Sequence, residues 1–184
     1  MTSVFFVSCE YIKEVTAIEN AVDDALITPF ITITQDTVLQ EILGTTFFDS
    51  LQSQVEAGTL TPVNEALIRD YIQPVVAHFT FWNVIPHLQY HSSNKSIITR
   101  TSDSSTSAEL NELQYFRNGI RDTAEYYKKR LVRELTVNLT KYPVYATSNG
   151  LDNVPKRRRS YFNGIYINKP YDSDCYLGED RPRK

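Results

Sequence analysis

The sequence predicts a mainly α-helical protein: a helical bundle body with a long central helix pair, followed by an extended, irregular C-terminal arm. Two observations support this prediction. Apolar residues recur every three or four positions over much of residues 9–141, which is the pattern of amphipathic helices. Residues 142–184 lack that pattern and are rich in Tyr, Asn, Gly, Pro and Asp. We therefore expect a body over residues 1–141 and an interaction arm over residues 142–184.

The first predicted helix begins near Cys9. Ser8 precedes it, and a serine hydroxyl can accept a hydrogen bond from a first-turn amide. Apolar residues then repeat at intervals of three, three and four residues, at Ile12, Val15, Ile18 and Val22. This stripe predicts a helix that runs to about Val22.

Two further short helices are each expected to end at a glycine. One covers residues 36–43 before Gly44, and the other covers residues 46–57 before Gly58. Glycine is the residue that most readily takes the left-handed conformation that stops a helix. We therefore place both helix ends at these glycines.

The next helix is expected to lie at the centre of the body. Thr61 and Pro62 are suited to be its cap and its first helical residue. Apolar side chains occupy several faces of residues 71–85, so this stretch should be the most buried part of the chain. Pro74 lacks an amide proton and should kink the helix.

The strongest helical pattern comes after a polar segment. Residues 92–107 contain ten Ser or Thr residues out of sixteen, which predicts a loop or a loose hairpin. A long helix then follows from Ser107 to Lys141, ahead of Pro143, and it should pack against the helix that begins at Pro62. Its apolar stripe consists of Leu110, Leu113, Phe116, Ile120, Ala124, Tyr127, Leu131, Leu135 and Leu139.

Charge and composition exclude several classes of protein. The net charge of -3 comes from 19 basic and 22 acidic residues, so nothing marks the whole chain as a nucleic-acid coat. The body holds 11 basic and 17 acidic residues, whereas the arm holds 8 basic and 5 acidic residues. Because body and arm carry opposite net charge, copies could associate head to tail. Residues 71–94 are uncharged but contain polar residues and two prolines, so we expect no membrane span. Two isolated cysteines, Cys9 and Cys175, are typical of a reduced cytosolic protein.

No motif indicates an enzyme, a cofactor or a metal site. The six glycines are scattered singly and build no phosphate-binding loop. His87 and His91 are four residues apart and would share a helix face, but they lack the other residues of a zinc motif and fit a helix end better. Asp23 and Asp24 would point about 100° apart on a helix, so we expect a solvated face rather than an acid-base pair.

The arm combines a basic run with aromatic residues in a segment too irregular to bury them in a core of its own. The run is Lys156, Arg157, Arg158 and Arg159, and the aromatic residues are Tyr145, Tyr161, Phe162, Tyr166, Tyr171 and Tyr176. Aromatic side chains outside a core usually need a partner, so we predict that the run and the aromatic residues from Tyr161 onward bind one. The alternatives are a nucleic-acid contact by the run and a solvated loop.

The order of these features over roughly residues 20–145 resembles that of a known family. Short N-terminal helices precede an aromatic-rich helix opened by Thr61 and Pro62, and a Ser/Thr-rich loop precedes the long helix. The most suggestive stretch runs from Asn94 through the loop into Leu110, with Ser96 where the family usually has glycine. The chain thus resembles the head-tail connector (adaptor) proteins of tailed bacteriophages, particularly those of crAss-like and related phages of Bacteroidetes.

This resemblance implies a structural subunit rather than an enzyme. Members form a ring, typically of twelve copies, which docks beneath the portal protein and surrounds the channel through which DNA passes. The implied partners are further copies of the chain, the portal and other tail or connector proteins, with no sequence-specific DNA binding and no membrane. The protein would lie at the head-tail junction of the virion after assembly in the host cytoplasm. From the residues alone, a DNA-binding protein that uses the basic run of residues 156–159 is the alternative, and a small enzyme with an unrecognised site is a third reading.

Overall fold

The computed structural model describes residues 4–92, 97–99 and 110–147, and these residues form a mainly helical body. This confirms the predicted fold class. The α-helices are α1 (Cys9–Val15), α2 (Asp24–Thr34), α3 (Gln40–Leu43), α4 (Thr45–Ala57), α5 (Pro62–Leu67), α6 (Gln73–Gln89), α7 (Leu110–Val137) and α8 (Pro143–Thr147). Two π-turns, Gln35–Leu39 and Ile68–Ile72, join α2 to α3 and α5 to α6, and a 3₁₀ turn, Leu139–Lys141, joins α7 to α8.

Helix α1 begins as predicted but ends early. The Ser8 hydroxyl accepts a hydrogen bond from the Tyr11 amide at 3.2 Å. The helix stops at Val15 because Thr16 is extended, with φ of -122°. The predicted continuation to Val22 is wrong for a second reason, because the Asp23 carboxylate caps a new helix by accepting from the Ala25 amide at 3.0 Å.

Helices α2 to α4 differ from the prediction at their start and at one glycine. The helical run begins at Asp24, well before the predicted residue 36, and passes through the first π-turn to Leu43. Gly44 has φ of 75° and ψ of 152°, so it is not left-handed helical as predicted. Its carbonyl already accepts from the Phe48 amide at 3.0 Å, which begins α4 directly. Gly58 does take the predicted left-handed conformation, with φ of 64° and ψ of 27°.

The central helical run starts at its predicted cap. The Thr61 hydroxyl accepts from the Asn64 amide at 3.3 Å, and Pro62 is the first helical residue. The disturbance expected at Pro74 takes the form of the second π-turn just before it, in which the Gln73 amide donates to the Ile68 carbonyl five residues back. A π-turn widens the helix locally, and the helix continues through Pro74 to Gln89.

The core surrounds α6, as the sequence predicts. Its buried side chains are Val75, Val76, Ala77, Phe79, Thr80, Phe81, Val84 and Ile85. Helix α7 packs along α6 over the longest contact in the body, and α2 and α1 pack on α6 as well. Ala124, Leu131 and Leu135 of α7 are fully buried, so the predicted central pair is confirmed.

The body continues beyond the predicted boundary at Lys141. The α-helix ends at Val137 rather than at Lys141, because a 3₁₀ turn and Pro143 redirect the chain into α8. Tyr142 and Tyr145 are each 4% exposed, and their ring centroids lie 6.3 and 6.0 Å from that of Phe47. Tyr145 was assigned to the arm, but it belongs to the core because α4 provides a surface that covers it.

Two glutamine side chains hold the N-terminal segment on the body. The Phe6 amide donates to Oε1 of Gln35 at 2.9 Å, and Nε2 of Gln35 donates to the Val4 carbonyl at 3.0 Å. Nε2 of Gln73 donates to the Phe6 carbonyl at 3.0 Å. Gln35 is 2% exposed, and such a buried amide is favourable only when its hydrogen bonds are made. These bonds fix the chain so that Phe6 and Val7 enter the core.

A two-stranded hairpin follows α6. Strand β1 (Tyr90–Ser92) pairs antiparallel with strand β2 (Ile97–Thr99), with His91 opposite Ile98. This agrees with the loose hairpin that the sequence allowed within residues 92–107. The remainder of that segment lies outside the described residues, as does the predicted helix start at Ser107.

Replacing Leu131 by Asp should unfold the body or destabilise it strongly. Leu131 is a fully buried residue of α7, so the change removes about 1.5–3 kcal/mol of hydrophobic burial and adds an unpaired buried carboxylate. Urea unfolding measures the effect. Val132→Asp is the matched control, because Val132 is 40% exposed and should tolerate the charge. A Leu131→Asp protein as stable as this control would show that the helix pairing is wrong.

Stability should fall at high pH partly through Tyr142. Burial, together with the Glu134 carboxylate that accepts from its hydroxyl at 3.2 Å, raises the pKa of Tyr142 to about 12. An unfolded tyrosine titrates near 10, so the folded state holds this proton more tightly. The resulting stabilisation is complete below about pH 10 and is lost as the pH rises towards 12. The free energy of unfolding of Tyr142→Phe should therefore fall less than that of wild type between pH 10 and about 12. Tyr115→Phe changes an exposed site and should show the same pH dependence as wild type. Equal pH dependence in all three proteins would contradict the assignment.

Candidate functional site

The side of α7 that faces away from α6 carries large exposed side chains. Tyr115 is 85% exposed and Tyr126 is 63% exposed. At 3.6 residues per turn both fall opposite Leu131. We call this side the outer face and define it by Tyr115, Asp122, Tyr126, Lys129 and Arg133. Exposed aromatic residues are typical of protein-protein interfaces.

Basic side chains without partners flank these aromatic residues. Arg121, Lys129 and Arg133 are exposed and form no ion pair within the part of the chain that the structure describes. The other cations of α7 are engaged inside the body. Lys128 lies 3.5 Å from the Glu41 carboxylate, Arg117 lies over the Trp82 ring, and Arg130 lies over the Tyr71 ring.

A stack of rings holds Tyr126 in position. Its ring meets that of Tyr127 edge to face, with centroids 5.4 Å apart. Tyr127 in turn stacks on His78 at 4.8 Å with an interplanar angle of 7°. Burial lowers the pKa of His78, which favours the neutral ring at neutral pH. Tyr126 is thus exposed but supported from below, which reduces the entropy that it would lose on binding.

The helices from α1 to the second π-turn present the opposite charge. Residues 1–70 contain eleven acidic and two basic residues, and both bases are paired internally. Lys13 lies 2.6 Å from Asp24, and Arg69 lies 2.8 Å from Asp70. The hydrogen bond from Arg69 lowers the pKa of the Asp70 carboxyl.

Eight exposed carboxylates in this region have no basic partner among the described residues. We call them the carboxylate surface: Glu10, Glu14, Glu19, Asp23, Asp36, Asp49, Glu56 and Glu65. The body therefore has unpaired acids on its N-terminal helices and unpaired bases on α7.

An apolar groove lies beside Glu65 of the carboxylate surface. Its volume is about 350 Å³. It is lined by Phe5, Phe6, Val55, Leu60, Glu65, Ile68, Arg69 and Gln73. The N-terminal segment forms one wall because Gln73 and Gln35 hold the backbone beside it. No residue of α7 lines this groove.

The candidate catalytic and metal residues are not arranged for chemistry. His87 packs on Phe30 with ring centroids 4.7 Å apart, while His91 lies in strand β1, so the two do not share a helix face as predicted. Asp23 caps α2 and Asp24 binds Lys13, so each has a structural role beyond the solvated face that was predicted. Among the described residues no cluster of three metal-binding side chains occurs.

The partner-binding residues predicted from the sequence lie outside the described part of the chain. They are Lys156, Arg157, Arg158, Arg159, Tyr161, Phe162, Tyr166, Tyr171 and Tyr176. Cys175 also lies there, whereas Cys9 is a free thiol whose Sγ is 3.7 Å from Oγ1 of Thr28. The outer face and the groove were not recognised from the sequence. The outer face could have been found, because Tyr115 and Tyr126 fall opposite the apolar stripe.

Comparisons with known proteins assign the chain to a family. Among the helices that the structure describes, none has the length and apolar character needed to cross a membrane. No curated protein and no solved structure matches the chain significantly. A family model matches residues 39–154, which is more than half of the chain and includes α3 to α8. The chain belongs to this family, DUF6712, a family of unknown function.

Proposed function

We propose that the protein is a structural subunit of a ring in the head-tail connector of a tailed phage, where it bridges portal and tail and surrounds the DNA channel. The resemblance of residues 20–145 to connector proteins suggests this role. One structural observation carries the proposal: a single helical body bears unpaired bases on the outer face of α7 and unpaired acids on the carboxylate surface. Such a body is suited to bind copies of itself.

The two charged sets belong to different parts of one body. Lys129 and Arg133 lie on the outer face of α7 and Arg121 lies at its flank, whereas the carboxylate surface belongs to α1–α5 and their connections. These charges form no ion pair within the described part of one copy, so a second copy could supply their partners. Contact between two different surfaces is heterologous, and it closes into a ring when the rotation between copies permits.

The energies suit a ring better than an isolated dimer. An exposed ion pair contributes about 0–1 kcal/mol, so one interface held by a few pairs is weak. Complementary charges nevertheless set orientation and speed association. Repeating the contact around a closed ring adds these small contributions, and ring closure makes the last contacts intramolecular.

The arm residues fit the same role. We propose that residues 156–159 contact acidic protein surface on an adjacent subunit or ring, with the aromatic residues from Tyr161 to Tyr176 as further contacts. A channel that lets DNA slide should not present four bases per copy, because each phosphate contact strengthens salt-dependent binding. The second candidate function is DNA binding. The observation that favours it is the run of four consecutive basic residues at 156–159.

The isolated protein should form a closed oligomer that salt weakens. Charge complementarity is screened over about 8 Å at physiological ionic strength and over about 3 Å at 1 M. Native mass spectrometry and sedimentation at two salt concentrations measure this. We expect one defined oligomer at low salt, in exchange with monomer as salt increases. A monomer at every protein concentration, combined with salt-dependent binding to duplex DNA, would support the DNA-binding alternative.

Replacing Lys156, Arg157, Arg158 and Arg159 together by Ser should impair incorporation into particles. The reason is the loss of pairing with acidic surface on a neighbour, and the readout is the amount of this protein in purified particles. The matched control replaces the other four basic residues of the arm by Ser, so that the net charge changes equally. These residues are Lys169, Arg181, Arg183 and Lys184. Normal incorporation with altered DNA retention would instead indicate that the run contacts DNA.

A further inference from the structure

We propose that Tyr126 of one copy inserts into the apolar groove beside Leu60 of the next copy. This inference rests on the proposed ring function and names the contact that would hold two neighbours together. It uses an exposed aromatic anchor, an apolar groove and complementary charges around both. All of these belong to the described body.

Tyr126 has the properties of an interface anchor. It is 63% exposed, and the edge-to-face contact with Tyr127 at 5.4 Å supports its ring. The stack of Tyr127 on His78 carries that support into the body. Tyrosine is enriched among the residues that dominate binding energy, and a supported ring loses little conformational freedom on docking.

The groove offers a matching apolar site. Phe5, Val55, Leu60 and Ile68 contribute apolar side chains to a space of about 350 Å³, which is enough for one aromatic ring. Phe5 is 37% exposed at this groove, so covering it would remove apolar surface from water. No α7 residue lines the groove and Tyr126 faces away from the core, so a Tyr126 ring in the groove would come from another copy.

The charges around the two sites are complementary. Lys129 and Arg133 follow Tyr126 on the same face after about one and two turns, and neither has an acidic partner among the described residues. Glu65 lines the groove, and Glu56 is next to its wall residue Val55. Arg69 offsets these acids only in part, because Asp70 binds it through two hydrogen bonds of 2.8 and 3.2 Å.

Tyr115 is the other exposed aromatic residue of the outer face, and it fits the groove less well. Lys129 and Arg133 are 14 and 18 residues beyond Tyr115, about 21 and 27 Å along the helix at 1.5 Å per residue. They could not reach the carboxylates beside the groove if Tyr115 occupied it. Tyr115 is therefore a matched control for Tyr126, on the same helix and with greater exposure.

Cysteine cross-linking in the full chain tests the contact directly. Cys9 and Cys175 are first replaced by Ser, and Tyr126→Cys and Leu60→Cys are made in separate proteins, mixed and oxidised. We expect the mixed dimer to form at least about tenfold faster than either homodimer, because docking raises the local thiol concentration. Tyr115→Cys mixed with Leu60→Cys should not show this excess.

Association measurements on exposed-site variants provide an independent readout that does not depend on the engineered thiols. Tyr126→Ala should weaken self-association about 30-fold, the loss of a typical anchor residue. Lys129→Glu should weaken self-association about 2–5-fold. Mixing this variant with a second protein that carries Glu65→Lys should restore association between the two. Circular dichroism melting confirms that each variant is folded.

Two results would overturn the inference, and they separate it from the proposed function. The contact is wrong if the wild-type chain assembles but Tyr126→Ala assembles equally well, or if Tyr115→Cys cross-links to Leu60→Cys as fast as Tyr126→Cys does. The proposed ring function would stand in either case. If the wild-type chain does not self-associate at any protein concentration or salt, the proposed function is wrong and this contact falls with it.

Discussion

The burial of α6 is the constraint on which the rest of the structure depends. Val75, Val76 and Val84 lie on different sides of this helix and are all fully buried, so no single neighbour can cover it. Helices α1, α2 and α7 pack around it together. Because the buried residues Ala124, Leu131 and Leu135 of α7 face the body, the opposite side of this helix must face away from it. The exposed position of Tyr126 and of the unpaired bases beside it is therefore a consequence of how the core is made.

The two π-turns link the core to the groove. Gln35 begins the first π-turn and Gln73 directly follows the second, and both donate to or accept from the backbone of residues 4–6. A π-turn inserts one residue into a helical turn and so changes which side chains share a face. Here the result is that the buried Gln35 amide and the half-buried Gln73 amide both bind the backbone of residues 4–6. That segment places Phe6 in the core and leaves Phe5 at the groove.

Local signals in the sequence were sufficient for some elements. The caps at Ser8 and Thr61, the stop at Gly58 and the stripe of α7 depend on residues close in sequence, and the structure has all of them. Helix α2 was missed because it is rich in β-branched residues and contains Pro29, and only packing on α6 outweighs those low helix propensities. Tyr145 could not be placed because the surface that buries it comes from Phe47, far away in sequence. The groove could not be predicted for the same reason, since Phe5, Leu60 and Ile68 meet only in the folded body.

The central claim is that one face of this body binds a different face of its copy, so that copies repeat head to tail. Density for an assembled particle tests this claim most directly, because it shows which side of α7 meets a neighbour. We predict a closed ring in which the outer face of each α7 lies against the carboxylate surface of the next copy, with acidic rather than basic side chains nearest the channel. A symmetric dimer that pairs identical faces, or a ring whose α7 outer faces all point at DNA, would contradict the account.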